Sequence, residues 1–120
     1  MRLLDFVVRL EWLALFAAAI ALYGWTGGSW TLFLILFLSP DLSMLGYLAG
    51  PRMGAFAYNM LHTLVWPLCL LLLGLTAGQA LALELGAIWM AHIGFDRALG
   101  YGLKAATGFN DTHMGRIGRK

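Results

Sequence analysis

A chain of 120 residues that is 61% hydrophobic, only 12% charged and of mean hydropathy +0.78 is no water-soluble domain, since such a domain carries about twice that share of charge. Its net charge of +2 forms no basic stripe, which argues against nucleic acid as a partner, and its single cysteine, Cys69, excludes an internal disulfide. The lipid bilayer is the natural surrounding, and the chain is short enough to be one compact unit within it.

The first apolar segment covers residues 3–23. Arg2 and the "FAAAIA" run give it some likeness to a cleaved signal, but Asp5, Arg9 and Glu11 fall inside the stretch that a signal keeps apolar. Asp5 and Arg9 have the i,i+4 spacing of a structural ion pair. The second segment, 30–49, is interrupted by "SPD" at 39–41. There Ser39 suits an N-cap and Pro40 the first residue of a restarted helix, which leaves Asp41 near freed backbone N–H groups. The third segment, 54–73, carries His62, with Asn59 one turn before it; the fourth, 79–100, carries Glu84, His92, Asp96 and Arg97. Each segment has about the 20 residues a spanning helix needs.

The linkers "GWTGGS", "GPRM" and "GLTAG" are short and Gly- or Pro-bearing, so neighbouring helices run antiparallel. The expected fold is all-α: an integral membrane four-helix bundle over residues 1–103. The polar stretch "KAATGFNDTHMGRIGRK", 104–120, reads as a tail, an interfacial element or a lid. The basic residues Arg2, Arg9, Arg52, Arg97, Lys104, Arg116, Arg119 and Lys120 all fall on one side of such a bundle. The positive-inside rule makes that side, with both termini, cytoplasmic.

Glu11, Asp41, His62 and His92 each lie about eight residues from the cytoplasmic end of their segment, roughly 12 Å deep, with Asp96 one turn nearer the surface. Singly, each has a structural explanation: a hydrogen-bonded core histidine, a helix-start aspartate, a carboxylate neutralised by Arg52 or Arg97. Together, carboxylates and imidazoles at one depth have the composition of a metal site. Asp41, His62, His92 and Asp96 are the candidate ligands of a divalent ion, zinc first, with iron or manganese as alternatives. Glu11 and Asp96 are candidate catalytic groups, Asn59 a support for His62, and Arg52 and Arg97 candidate anchors for an anionic head group. Asp111 and His113 are possible further ligands or part of a lid. Glu84 lies about 12 Å farther toward the other side and reads as interfacial. Gly46, Gly50, Gly54 and Ala57 offer close-packing surfaces, which would suit a homodimer.

The strings "SPDLSMLGYLAGPRMGAFAYNMLHT" (39–63) and "WMAHIGFDRALGYGLKAATGFNDTHMGRIG" (89–118), with "RLEW" (9–12), resemble the small bacterial membrane proteins grouped as domain of unknown function 4260. The family pattern falls on Glu11, Asp41, His62, His92, Asp96, Asp111 and His113, and on Gly50, Pro51 and Arg52. It implies a multi-pass protein of the bacterial inner membrane and supplies no reaction. A more remote likeness is to membrane-bound metal-dependent hydrolases, through "PD", "HT" and "HIGFD", without their fuller His-Arg-Gly…Thr-His string. A metal-dependent hydrolase of a lipid-like or phosphorylated amphiphile is the leading expectation. A di-iron oxidoreductase, short of the usual Glu-x-x-His pairs, and a non-enzymatic proton or ion relay are the alternatives.

Overall fold

A computed structural model describes residues 2–102 and the backbone of 111–112 and 115–116. The chain is helical: α1 (Leu3–Thr26), α2 (Trp30–Leu36), a 3₁₀ segment (Ser39–Ala49), α3 (Pro51–Leu61), α4 (Val65–Ala77) and α5 (Ala80–Ala98). Four helical units stand where four were expected, but two of them are broken. Three units, 3–26, 30–49 and 51–77, are long and apolar enough to cross a membrane. Leucines such as Leu34, Leu48 and Leu75 lie exposed on them. α5 has the length but carries Glu84, Asp96 and Arg97. It is the most buried helix, so its neighbours rather than lipid face its charges.

Each break has a cause in the sequence. Pro40 has no N–H, and its ring opposes the carbonyl of Leu36, so α2 cannot continue. The Ser39 and Ser43 hydroxyls donate to the carbonyls three residues back, Leu36 (2.7 Å) and Pro40 (2.8 Å). Ser39 therefore back-bonds instead of capping a restarted α-helix, and the chain continues as 3₁₀. The third unit, expected to be continuous, breaks at 62–64 because Pro67 is tolerated only in the first turn of a new helix.

Antiparallel neighbours α1 and α4 pack against α5, and α3 packs on the 3₁₀ segment. Small residues permit the close approaches. A side chain at Gly86 would meet the Pro67 carbonyl, and one at Gly46 would meet Ala57 Cβ at 2.9 Å. The stripe of Gly46, Gly54 and Ala57 is thus used inside the chain, holding the 3₁₀ segment to α3. Tyr23, Phe33, Ala87, Ile88 and Ala91 form the core.

Beyond the last residue of α5 the chain turns at Gly100 (φ 97°), with Tyr101 N–H on the Asp96 carbonyl and Gly100 N–H on that of Arg97. Arg9 donates to the Leu99 carbonyl at 2.8 Å, while Asp5 accepts from Arg2 at 3.2 Å. The backbone of Asp111–Thr112 pairs antiparallel with Gly115–Arg116. The side chains of Asp111 and His113 lie outside the described residues, so the lid expectation finds no test there.

Candidate metal centre

α5 places His92 and Asp96 one turn apart on one face, with His92 Nε2 3.2 Å from Asp96 Oδ2. The 3₁₀ segment brings Asp41, whose Oδ1 lies 3.1 Å from His92 Nε2 and 3.2 Å from His62 Nε2. His62, the residue ending α3, completes the group, 3.1 Å from His92 Nε2 and 3.4 Å from Asp96 Oδ2. The four donor atoms all lie within 4.8 Å of one another. Both imidazoles are fully buried, while the Asp41 and Asp96 side chains keep 29% and 14% exposure. Asp41 therefore forms the accessible edge.

Hydrogen bonding uses only part of this convergence. An imidazole Nε2 carries at most one proton, and that proton serves one acceptor. Here each Nε2 faces two carboxylate oxygens and the other Nε2. A tetrahedral ion with bonds of about 2.0–2.1 Å has ligand–ligand edges of about 3.3 Å. Five of the six edges measure 3.1–3.4 Å.

His62 also has the orientation a metal ligand would need. Its Nδ1–H donates to the Tyr58 carbonyl at 2.8 Å, which leaves the Nε2 lone pair aimed at the centre. The Tyr58 ring stacks on it with centroids 3.7 Å apart, and the Tyr58 hydroxyl lies 3.5 Å from Asp96. The His92 ring packs edge-on against Phe37. Its buried Nδ1 has no hydrogen-bond partner among the described residues.

The break that frees His62 from helical geometry also frees backbone carbonyls, which a membrane interior does not tolerate unpaired. Side chains answer them. His62 takes the Tyr58 carbonyl, Trp89 Nε1–H donates to Leu61 O at 2.6 Å, and Arg97 donates to His62 O at 3.1 Å. Arg97 lies over the Trp12 ring at 4.4 Å and is buried. Trp89 and Arg97 thus hold the break from α5. Neither role was visible in the sequence, although Pro67 was the available signal: its ring opposes the carbonyl of Thr63, the residue after His62. Trp89→Phe strands the Leu61 carbonyl at a cost of about 1–3 kcal/mol. It should also weaken metal binding by about tenfold or more, as loss of ligand-supporting contacts does. Unfolding and metal titration in detergent check both.

The other expected site residues fall elsewhere. Glu11 is exposed on α1, outside the cluster; Trp12, Phe16, Ala19 and Tyr23 mark the face of that helix turned inward. Arg52 is exposed, and Asn59 is half-buried, with its carbonyl accepting the His62 N–H at 3.3 Å. Glu84 lies near Gly28, at the other end of the molecule from Arg9 and Leu99.

No curated protein and no solved structure matches the chain. The model of the family described as "Domain of unknown function (DUF4260)" matches residues 5–117, and the chain, built around this buried His/Asp group, belongs to that family.

Proposed function

We propose that the protein is a metal-dependent membrane hydrolase acting on a lipid-like or phosphorylated amphiphile. The observation that carries the reading is the set of four donors, two imidazole and two carboxylate, at tetrahedral edge lengths inside an apolar body. His62, His92 and Asp96 would hold one divalent ion, with zinc the best fit to this donor set, which leaves a position open to water beside Asp41. Such an ion supplies Lewis-acid chemistry, making water nucleophilic near neutral pH and polarising the bond under attack. Asp41, at the accessible edge, is placed to take the water's proton and return it to the leaving oxygen. One O–H bond and the scissile ester bond break; a new bond to the attacked phosphorus or carbon and an O–H bond on the leaving group form. The cluster end faces the cytoplasm in this reading, because the basic residues gather there.

A four-donor group with these edges encloses one ion, whereas paired-metal sites hold ions about 3.5–4 Å apart, so the di-iron alternative draws no support from the geometry. The test is turnover by zinc-loaded protein in lipid nanodiscs, using alkyl phosphates and carboxylic esters. Product release that depends on metal and vanishes in His92→Ala and with chelator is expected. Metal-loaded protein that turns over neither ester class overturns the hydrolase reading.

A further inference from the structure

An apolar pocket of about 270 Å³, open on one side, is lined by residues that neighbour the cluster residues along the chain. Its walls are Leu36, Leu70, Leu85 and Ile88. Its remaining lining ties it to the ligands: Ser39 and Pro40 immediately precede Asp41, Leu61 immediately precedes His62, and Trp89 lies one turn before His92. The same two breaks that deliver Asp41 and His62 therefore shape this space. Its polar side chains are already engaged, Ser39 with the Leu36 carbonyl and Trp89 with that of Leu61. Both side-chain donors in the wall are thus taken, and a predominantly apolar space takes apolar guests.

The geometry points to a hydrocarbon-chain pocket: the cavity receives the single alkyl or acyl tail of an amphiphile whose polar head is presented to Asp41, His62, His92 and Asp96. An apolar cavity of about 150 Å³ holds the six carbons of benzene, so this one holds about ten carbons of a chain. That selects a single-tailed amphiphile over a soluble ester, which would leave the pocket empty, and over the two tails of a phospholipid, of which only one fits. The inference rests on the cluster being the place where the head reacts, and it specifies the tail.

The probe is dodecylphosphonate carrying a diazirine midway along its chain, added to the protein in phosphatidylcholine nanodiscs. The carbon–phosphorus bond resists hydrolysis, so labelling is read without turnover. Adducts mapped by mass spectrometry should concentrate around Leu70 and Leu85. They should fall to the level of the lipid-facing peptides of α1 in Leu85→Trp, which fills the space from α5. Leu70→Phe fills it from α4 and gives the same loss if the first variant does not fold; far-UV circular dichroism and a single size-exclusion peak in detergent serve as the folding control for both. Labelling that spreads evenly over exposed leucines and ignores both plugs overturns the pocket, even if metal binds. Localised labelling in a protein that binds no metal leaves the pocket standing and removes the hydrolase reading instead.

Discussion

Elemental analysis of detergent-purified protein should return about one divalent metal ion per chain, the number a single tetrahedral donor set holds, with the ion lost in both His62→Ala and His92→Ala. Each substitution removes one of two buried nitrogens from a set with five edges of 3.1–3.4 Å. Loss of a supporting contact alone weakens metal binding about 10–100-fold, so loss of a direct donor should exceed about a hundredfold. Glu84→Ala, near Gly28, and Glu11→Ala, on the exposed side of α1, should keep the ion. Wild-type protein that takes up no zinc, iron or manganese after reconstitution would sink the metal reading. The convergence of Asp41, His62, His92 and Asp96 would then have to be a proton-sharing network.

Gly94→Val is the second large effect. A Cβ at Gly94 would lie 3.0 Å from the backbone nitrogen of Phe16 and 3.2 Å from the Trp12 carbonyl. These are backbone atoms of α1, so no rotamer change relieves the clash, and the helix itself must move. Overpacking of this kind costs about 1–3 kcal/mol. It also disturbs the Trp12 face on which Arg97 rests. Thermal unfolding in detergent should show a lower midpoint for Gly94→Val. Gly24→Ala is the contrast, because its Cβ meets only Trp30 at an ordinary 3.5 Å. Alanine in a helix interior is favoured over glycine by about 0.5–1 kcal/mol, so that variant should be neutral or stabilised. Equal destabilisation in both would show that the α1–α5 contact is not as close as described.

Much of the site could be read in the sequence because it depends on height and on spacing. The i,i+4 relation of His92 and Asp96 needs only a helix. The equal depth of Asp41 and His62 needs only that each unit cross the membrane. Glu11 shows where that reasoning stops. Counting from a helix end gives depth but not direction, and Trp12 and Phe16, not Glu11, turn toward α5. Arg97 shows the same limit for charge. Its charge suggests an anchor for an anionic head group, and nothing in the sequence points to the contacts its guanidinium makes with the His62 carbonyl and the Trp12 ring. A buried arginine serves whichever acceptor folding leaves unpaired, and that acceptor existed only because Pro67 broke the third unit.

The apolar excess and the segment lengths by themselves determined the class of fold, because lipid admits helices whose backbone groups are paired within the segment. The same excess made each ionisable group conspicuous, so the four donors could be named. The tertiary structure decided which groups meet. It rotated Glu11 out and brought the Nε2 atoms of two helical units within 3.1 Å. It engaged Trp89 and Arg97 with the carbonyls that the break at 62–64 released. Those outcomes follow from helix rotation and from the sharing of freed backbone groups between units, and neither is encoded within any one segment.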